Sequence, residues 1–224
     1  MKTNCKLCIT LIFASMCLGH CATKAVGQII LDQSNVVPAS HTLEFVVGET
    51  FWPAQTFRVG TTGELARVEL GVYRHGSSSG ALFADIVKTQ AGVPDFTLAG
   101  RLATKSISGV PNYPGIGDPS LVDFNIVVDF SSSHLQVNTG DVLAIALRSS
   151  ANEFFGCSWR TGNQFFNPYL DGSPSSYRPQ LSYIIPHSET DAHFRTFVLV
   201  PEPSCAFLLA TGLAAAATRR VRRN

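Results

Sequence analysis

The interior of this chain is almost free of cysteine. Six cysteines occur in 224 residues, but Cys5, Cys8, Cys17 and Cys21 crowd the N-terminus and Cys205 sits near the C-terminus. Only Cys157 remains between residues 28 and 199, which excludes an internal disulfide and a cysteine-ligated metal site in that stretch. Its ordinary role there is that of a small buried hydrophobe. Positive charge is also scarce in the same stretch. The whole chain balances 17 Lys and Arg against 16 Asp and Glu, yet Lys2, Lys6, Lys24 and four terminal arginines lie outside residues 28–199, as does Glu202. Residues 28–199 are left with 10 positive against 15 negative side chains, a net of about −5. That argues against nucleic acid as a partner, because displacing counterions requires clustered Lys and Arg.

Catalytic and metal motifs are missing as well. His41, His75, His134, His187 and His193 show no H-E-x-x-H or comparable ligand spacing. Asp118, Asp123 and Asp129 offer carboxylates of the kind calcium sites use, but their spacing fits no calcium loop and they read as solvated turn residues. Gly76-Ser77-Ser78-Ser79-Gly80 matches the letters G-x-S-x-G, but a nucleophile elbow needs a strand before it and a helix after it. A period-2 run follows instead, so the stretch reads as a hairpin loop. No cofactor, no metal and no enzymatic activity are expected.

What is present is alternation. Short period-2 runs broken by Gly, Pro, Ser and Asn cover Ala54 to Val59, Glu64 to Tyr73, Ala81 to Thr89, Leu98 to Ile107 and Leu121 to Phe130. Leu82, Ala84 and Ile86 fall on one side of theirs. Asn138-Thr139-Gly140-Asp141 is turn chemistry leading into Val142 to Arg148, which is apolar on both sides and reads as a central strand. Tyr183 to Ile185 and His193 to Val200 complete the set. No segment between residues 28 and 199 keeps a helical period for twelve residues. The pattern predicts one all-β domain over 28–199, a β-sandwich or jelly roll, with 108–120 as a surface loop. At 172 residues it is long enough to bury a core without staples.

The two ends differ from this body. Lys2 and Lys6 form a basic start, Leu7 to Leu18 an apolar stretch, and Ala25-Val26-Gly27 a small-residue cleavage site. Residues 1–27 are therefore expected to be a signal peptide, cut before Gln28 after passage through the Sec translocon. Lipidation at Cys21 is disfavoured by His20 just before it. At the other end come Pro201, Glu202 and Pro203, an uncharged run from Ser204 to Thr218, and then Arg219, Arg220, Arg222 and Arg223. Fifteen helical residues rise roughly 22 Å against a hydrocarbon core of about 30 Å, a short span that snorkelling arginines lengthen. Those arginines fix the orientation, with the body outside the cytoplasmic membrane. The prolines keep the triplet out of the helix and accessible.

These twenty-five residues, 200–224, resemble the PEP-CTERM sorting signal of Gram-negative bacteria, with its three parts in the same order. The resemblance implies that Pro201, Glu202 and Pro203 are the motif read by an exosortase, and that Arg219, Arg220, Arg222 and Arg223 are the cytoplasmic membrane stop. It implies a destination at the cell surface or in an exopolysaccharide matrix. The strand pair A-Q-T-F-R-V-G-T-T-G-E-L-A-R-V-E-L-G-V-Y-R is similar to strands of bacterial surface domains that precede such tails, as are G-D-V-L-A-I-A-L-R-S and F-R-T-F-V.

One aromatic constellation stands out. Phe154, Phe155, Trp159, Phe165, Phe166 and Tyr169 lie among Asn152, Arg160, Asn163 and Asn167. Such rings either close one end of a sandwich or, with Trp159, Phe165, Phe166 and Tyr169 facing outward, form a platform on which sugar rings stack. The function expected is a non-catalytic surface or matrix protein in contact with exopolysaccharide. The alternative is a secreted polysaccharide hydrolase, which requires two carboxyls across a cleft; Glu153 and Asp171 are the pair that flank the aromatics.

Overall fold

The structure, a computed structural model, describes residues 27–38, 42–75, 80–113, 115, 124–150, 156–162, 169–187 and 190–202. It is all-β, with no α-helix among the described residues. In chain order the strands are β1 (Gln28–Asn35), β2 (Thr42–Val47), β3 (Trp52–Arg58), β4 (Gly63–Leu70), β5 (Val72–Arg74), β6 (Leu82–Gln90) and β7 (Val93–Pro94). There follow β8 (Arg101–Ile107), β9 (Ile126–Asp129), β10 (Gln136–Val137), β11 (Val142–Ser149), β12 (Cys157–Gly162), β13 (Pro174–Arg178), β14 (Tyr183–Pro186) and β15 (Phe194–Val200). They form three sheets: β1-β15-β4-β10 with β9 also on β4, β14-β13-β3-β11-β6-β7 with β8 also on β6, and β2-β12-β5.

Alternation explains which way each sheet faces. Along β4, Leu65, Val68 and Leu70 are buried while Arg67 and Glu69 lie on the other side. Ala66 interrupts the period: Phe197 on β15 pairs with Arg67, and its neighbour Val198 pairs with Leu65. Ala66 is thus the extra residue of a β-bulge, which keeps Leu65 and Val68 on one face. The inward residues of all three sheets meet in one core, where Leu70, Ile86, Ile145, Trp159 and Phe194 join Val47, Val72 and Phe57. β11 lies between β3 and β6 and is buried on both faces, as its sequence predicts. On the far side of that sheet Ala54, Val87, Ala144 and Ala146 make a smaller cluster under Phe96.

The run from Glu64 to Tyr73 is two strands in two sheets rather than one. The chain changes sheets at Gly71, whose carbonyl accepts from the Arg160 backbone at 2.9 Å. A Cβ on Gly71 would come within 2.9 Å of the His193 ring, so this crossing needs glycine. Asn125 then completes β5, accepting from the Val72 N–H and donating to its carbonyl. The expected strand Leu98 to Ile107 is also shorter. Leu98–Gly100 is a 3-10 turn capped by the Thr97 hydroxyl, with Leu98 left exposed, and the strand starts at Arg101. β13 hides polar side chains and carries no apolar alternation to announce it, and β12 alternates only over Cys157 and Trp159. Ser158, Arg160, Ser175 and Ser176 are all buried.

Of the expected 108–120 surface loop, Asn112 and Tyr113 are tied down. Asn112 bridges Arg74, and the Tyr113 N–H donates to the Arg74 carbonyl at 2.8 Å. The signal peptide and the C-terminal span fall outside the described residues, apart from Gly27, Pro201 and Glu202. Among the described residues no helix is long and apolar enough to cross a membrane.

Candidate functional site

β12 positions the most chemically loaded cluster. Its Cys157 and Trp159 join the core, and strand alternation turns Ser158 and Arg160 to the opposite face. There His75 Nε2 lies 2.9 Å from Ser158 Oγ and 3.0 Å from Glu44 Oε2. Tyr113 stacks obliquely against His75, with ring centres 4.9 Å apart. Burial, and after it the Glu44 carboxylate, pushes the Tyr113 hydroxyl up to about 12. Serine, histidine and glutamate are the residue types of a nucleophilic triad, but the wiring differs. A triad acid holds the imidazole by its far nitrogen, whereas Glu44 and Ser158 converge on the same Nε2. Ser158 is only 1% exposed, so no substrate carbonyl reaches its hydroxyl. These contacts pin β2, β5 and β12 together.

A second cluster lies along residues 190–194, where the chain enters β15. Asp191 accepts from Gln55 Nε2 at 3.1 Å and from the Tyr169 N–H at 3.3 Å, while Gln55 Oε1 receives the Ala192 N–H. Asn35 Nδ2 donates to the Ala192 carbonyl and the Trp159 indole N–H to the His193 carbonyl. Burial pushes the Asp191 carboxyl up to about 6, against the pull of those donors. His193 takes the Val37 N–H on Nδ1, which places its own proton on Nε2, and its ring stacks on Phe124 at 3.9 Å. Burial, then the charges of Arg160 and Arg195, push it down to about 3, so it is neutral. Nε2 is buried without a hydrogen-bond partner.

The aromatic constellation divides. Trp159 is fully buried and Tyr169 is 8% exposed, so both serve the core and present no face to a ligand. The outward platform is therefore corrected for these two: β12 is the middle strand of its sheet, and its tryptophan belongs to the buried core that also holds Phe194. The Tyr169 hydroxyl donates to Gln33 Oε1 and receives the Arg58 N–H, and its ring meets Phe194 edge-on at 5.1 Å. Phe154, Phe155, Phe165 and Phe166 lie outside the described residues. Of the carboxyl pair, Asp171 is exposed and 3.9 Å from Arg58, and Glu153 lies outside the described residues. Asp118 and Asp123 lie outside them too. Asp129 takes the Ser131 N–H at 2.8 Å, and the hydrogen bonds from Ser131 hold its carboxyl below the usual range. Among the described residues no group of His, Cys, Asp and Glu has the arrangement of a metal site. Burial raises the Cys157 thiol, as befits a core residue.

Two grooves flank the β13–β14 turn. One of about 300 Å³ is mostly apolar and is lined by Glu44, Phe45, Thr50, Phe51, Arg178 and Leu181. The Arg178 guanidinium lies over the Phe51 ring at 5.7 Å. The other, about 640 Å³ and more open, runs past Val93, Phe96, Tyr177 and Ile184, where Phe96 and Tyr177 stack at 4.7 Å. Sequence reasoning missed both grooves and the Asp191–His193 cluster, because their members come from distant strands. No protein-family model matches the chain, and no curated protein matches it.

Proposed function

We propose that this chain is an exported, non-catalytic protein of the cell surface or exopolysaccharide matrix. Its body is a β-sandwich of jelly-roll type, and a C-terminal signal of the PEP-CTERM kind delivers it. The reading rests on one observation: a Pro-Glu-Pro triplet, an uncharged fifteen-residue run and four arginines stand in that order at residues 201–223. The boundaries of the folded body support it. β1 begins at Gln28, the residue expected to follow signal cleavage, and β15 ends at Val200 with Pro201 and Glu202 exposed. A processing enzyme needs extended, accessible backbone of that kind. The Ser158–His75–Glu44 wiring favours a structural role for that cluster, despite its hydrolase residue types.

The test is expression in a host that carries an exosortase, followed by mass spectrometry of the mature C-terminus and cell fractionation. The wild-type chain is expected at the surface or in the matrix without its arginines. A variant with Pro201, Glu202 and Pro203 all changed to alanine is expected to keep them and stay in the inner membrane. An intact C-terminus on wild-type protein recovered from the cytosol would refute the reading.

A further inference from the structure

We infer that the outer face of the seven-stranded sheet binds carboxylate-bearing saccharides through the paired guanidinium groups of Arg101 and Arg148. The anchor of the site is Asp85 on β6, which is 2% exposed. Its Oδ2 accepts from Arg148 Nε at 2.7 Å and lies 3.5 Å from Arg101 Nε, while its Oδ1 accepts from the Thr104 hydroxyl at 2.6 Å. Ring faces fix the two planes. The Arg148 guanidinium lies 4.3 Å over Phe83, its register partner's side chain, and that of Arg101 lies 5.5 Å over Trp52.

Each arginine makes its closest contact with Asp85 through Nε, and each side chain keeps about a fifth of its surface, 22%, open to solvent. Two positive charges face one negative, so the site keeps a surplus of one positive charge on a body whose net charge is about −5. A rigid planar fork matches the two oxygens of a carboxylate, and its orientation is set before a ligand arrives. Register places Ser106 opposite Phe83 and Thr104 opposite Asp85, so hydroxyls line the same face of β8 beside the arginines. Half-buried Trp52 and Tyr177 continue the face, their rings 5.6 Å apart. Carboxylate recognition flanked by hydroxyls and rings suits a uronic-acid polymer. A polyphosphate is disfavoured, since it offers no sugar ring to lie against Trp52 and Tyr177 and no hydroxyl to meet those of β8.

The choice of ligand rests on the matrix reading, which C-terminal mass spectrometry tests separately, so either can fail without the other. The experiment is titration calorimetry on the full-length protein in nonionic detergent with an oligogalacturonate. A neutral maltooligosaccharide and an oligodeoxythymidine serve as comparisons. Oligogalacturonate is expected to bind alone, and Arg101→Lys and Arg148→Lys, which keep the charge but lose the fork, to weaken it roughly tenfold each. Bound oligogalacturonate is also expected to shield both arginines of the wild-type protein from phenylglyoxal, a readout that needs no variant. Absent binding, equal binding of either comparison ligand, undiminished binding by the lysine variants, or unshielded arginines would each overturn the site.

Discussion

Two buried aspartates in this molecule are accommodated in opposite ways. Asp191, beside β15, is held by neutral donors: an amide of Gln55 and the backbone of Tyr169. Asp85, on the far face of the seven-stranded sheet, is held by two guanidinium groups and a hydroxyl. Neutral donors satisfy lone pairs but leave the charge uncompensated, and burial accordingly pushes Asp191 up to about 6. Guanidinium partners supply the opposite charge, and in doing so are themselves fixed in place. The first arrangement builds a seam that joins sheets; the second builds a rigid cationic surface.

Substitutions break this contrast in graded steps. The largest loss is expected from Trp159→Ala, which empties a fully buried site and orphans the His193 carbonyl; about 4 kcal/mol of stability should disappear in urea denaturation. Asp85→Asn removes the charge that two partly buried arginines share, and a loss of about 3 kcal/mol is expected by the same measurement.

The pH dependence sharpens the contrast. His193 is pushed down to about 3 from an ordinary 6.5. Its contribution is complete above the unfolded value and drains away as the pH falls from about 6.5 towards 3. Asp191 acts in the other direction, since its folded value of about 6 exceeds the ordinary 3.8. Its contribution is complete below about 3.8 and is lost as the pH rises through 6. Between pH 6 and 4 the two oppose one another. Asp191→Asn should therefore make the loss of stability on acidification steeper in that window. His193→Asn, whose side-chain oxygen can still accept the Val37 N–H, should flatten or reverse it. Urea midpoints measured from pH 4 to 7 check both slopes. The smallest effect belongs to the surface pair: Asp171→Asn, 3.9 Å from Arg58 with both side chains more than half exposed, should change stability by less than about 0.5 kcal/mol.

How much of this was legible depends on whether neighbours in sequence are neighbours in space. β15 was readable because its side chains alternate, and β11 because a short run apolar on both sides fits a strand covered on both faces. β12 and β13 were not, since Ser158, Arg160, Ser175 and Ser176 look like loop composition until other strands bury them. The aromatic cluster left two readings open, a closed end of the sandwich or an outward platform, and the burial of Trp159 and Tyr169 takes the first for those two. Ring type says that Trp159 carries much contact area, and only the pairing of β12 between β2 and β5 says that its area faces inward.

The amino-acid sequence alone determined the all-β class, the acidic character of residues 28–199, the lack of an internal disulfide there and the three-part tail. Each is a matter of composition or of short-range order along the chain. Tertiary structure decided the rest: Asp85 meets Arg148 across 63 positions and Gln55 meets Asp191 across 136. Such contacts depend on strand register, because a shift of one residue turns every side chain to the opposite face.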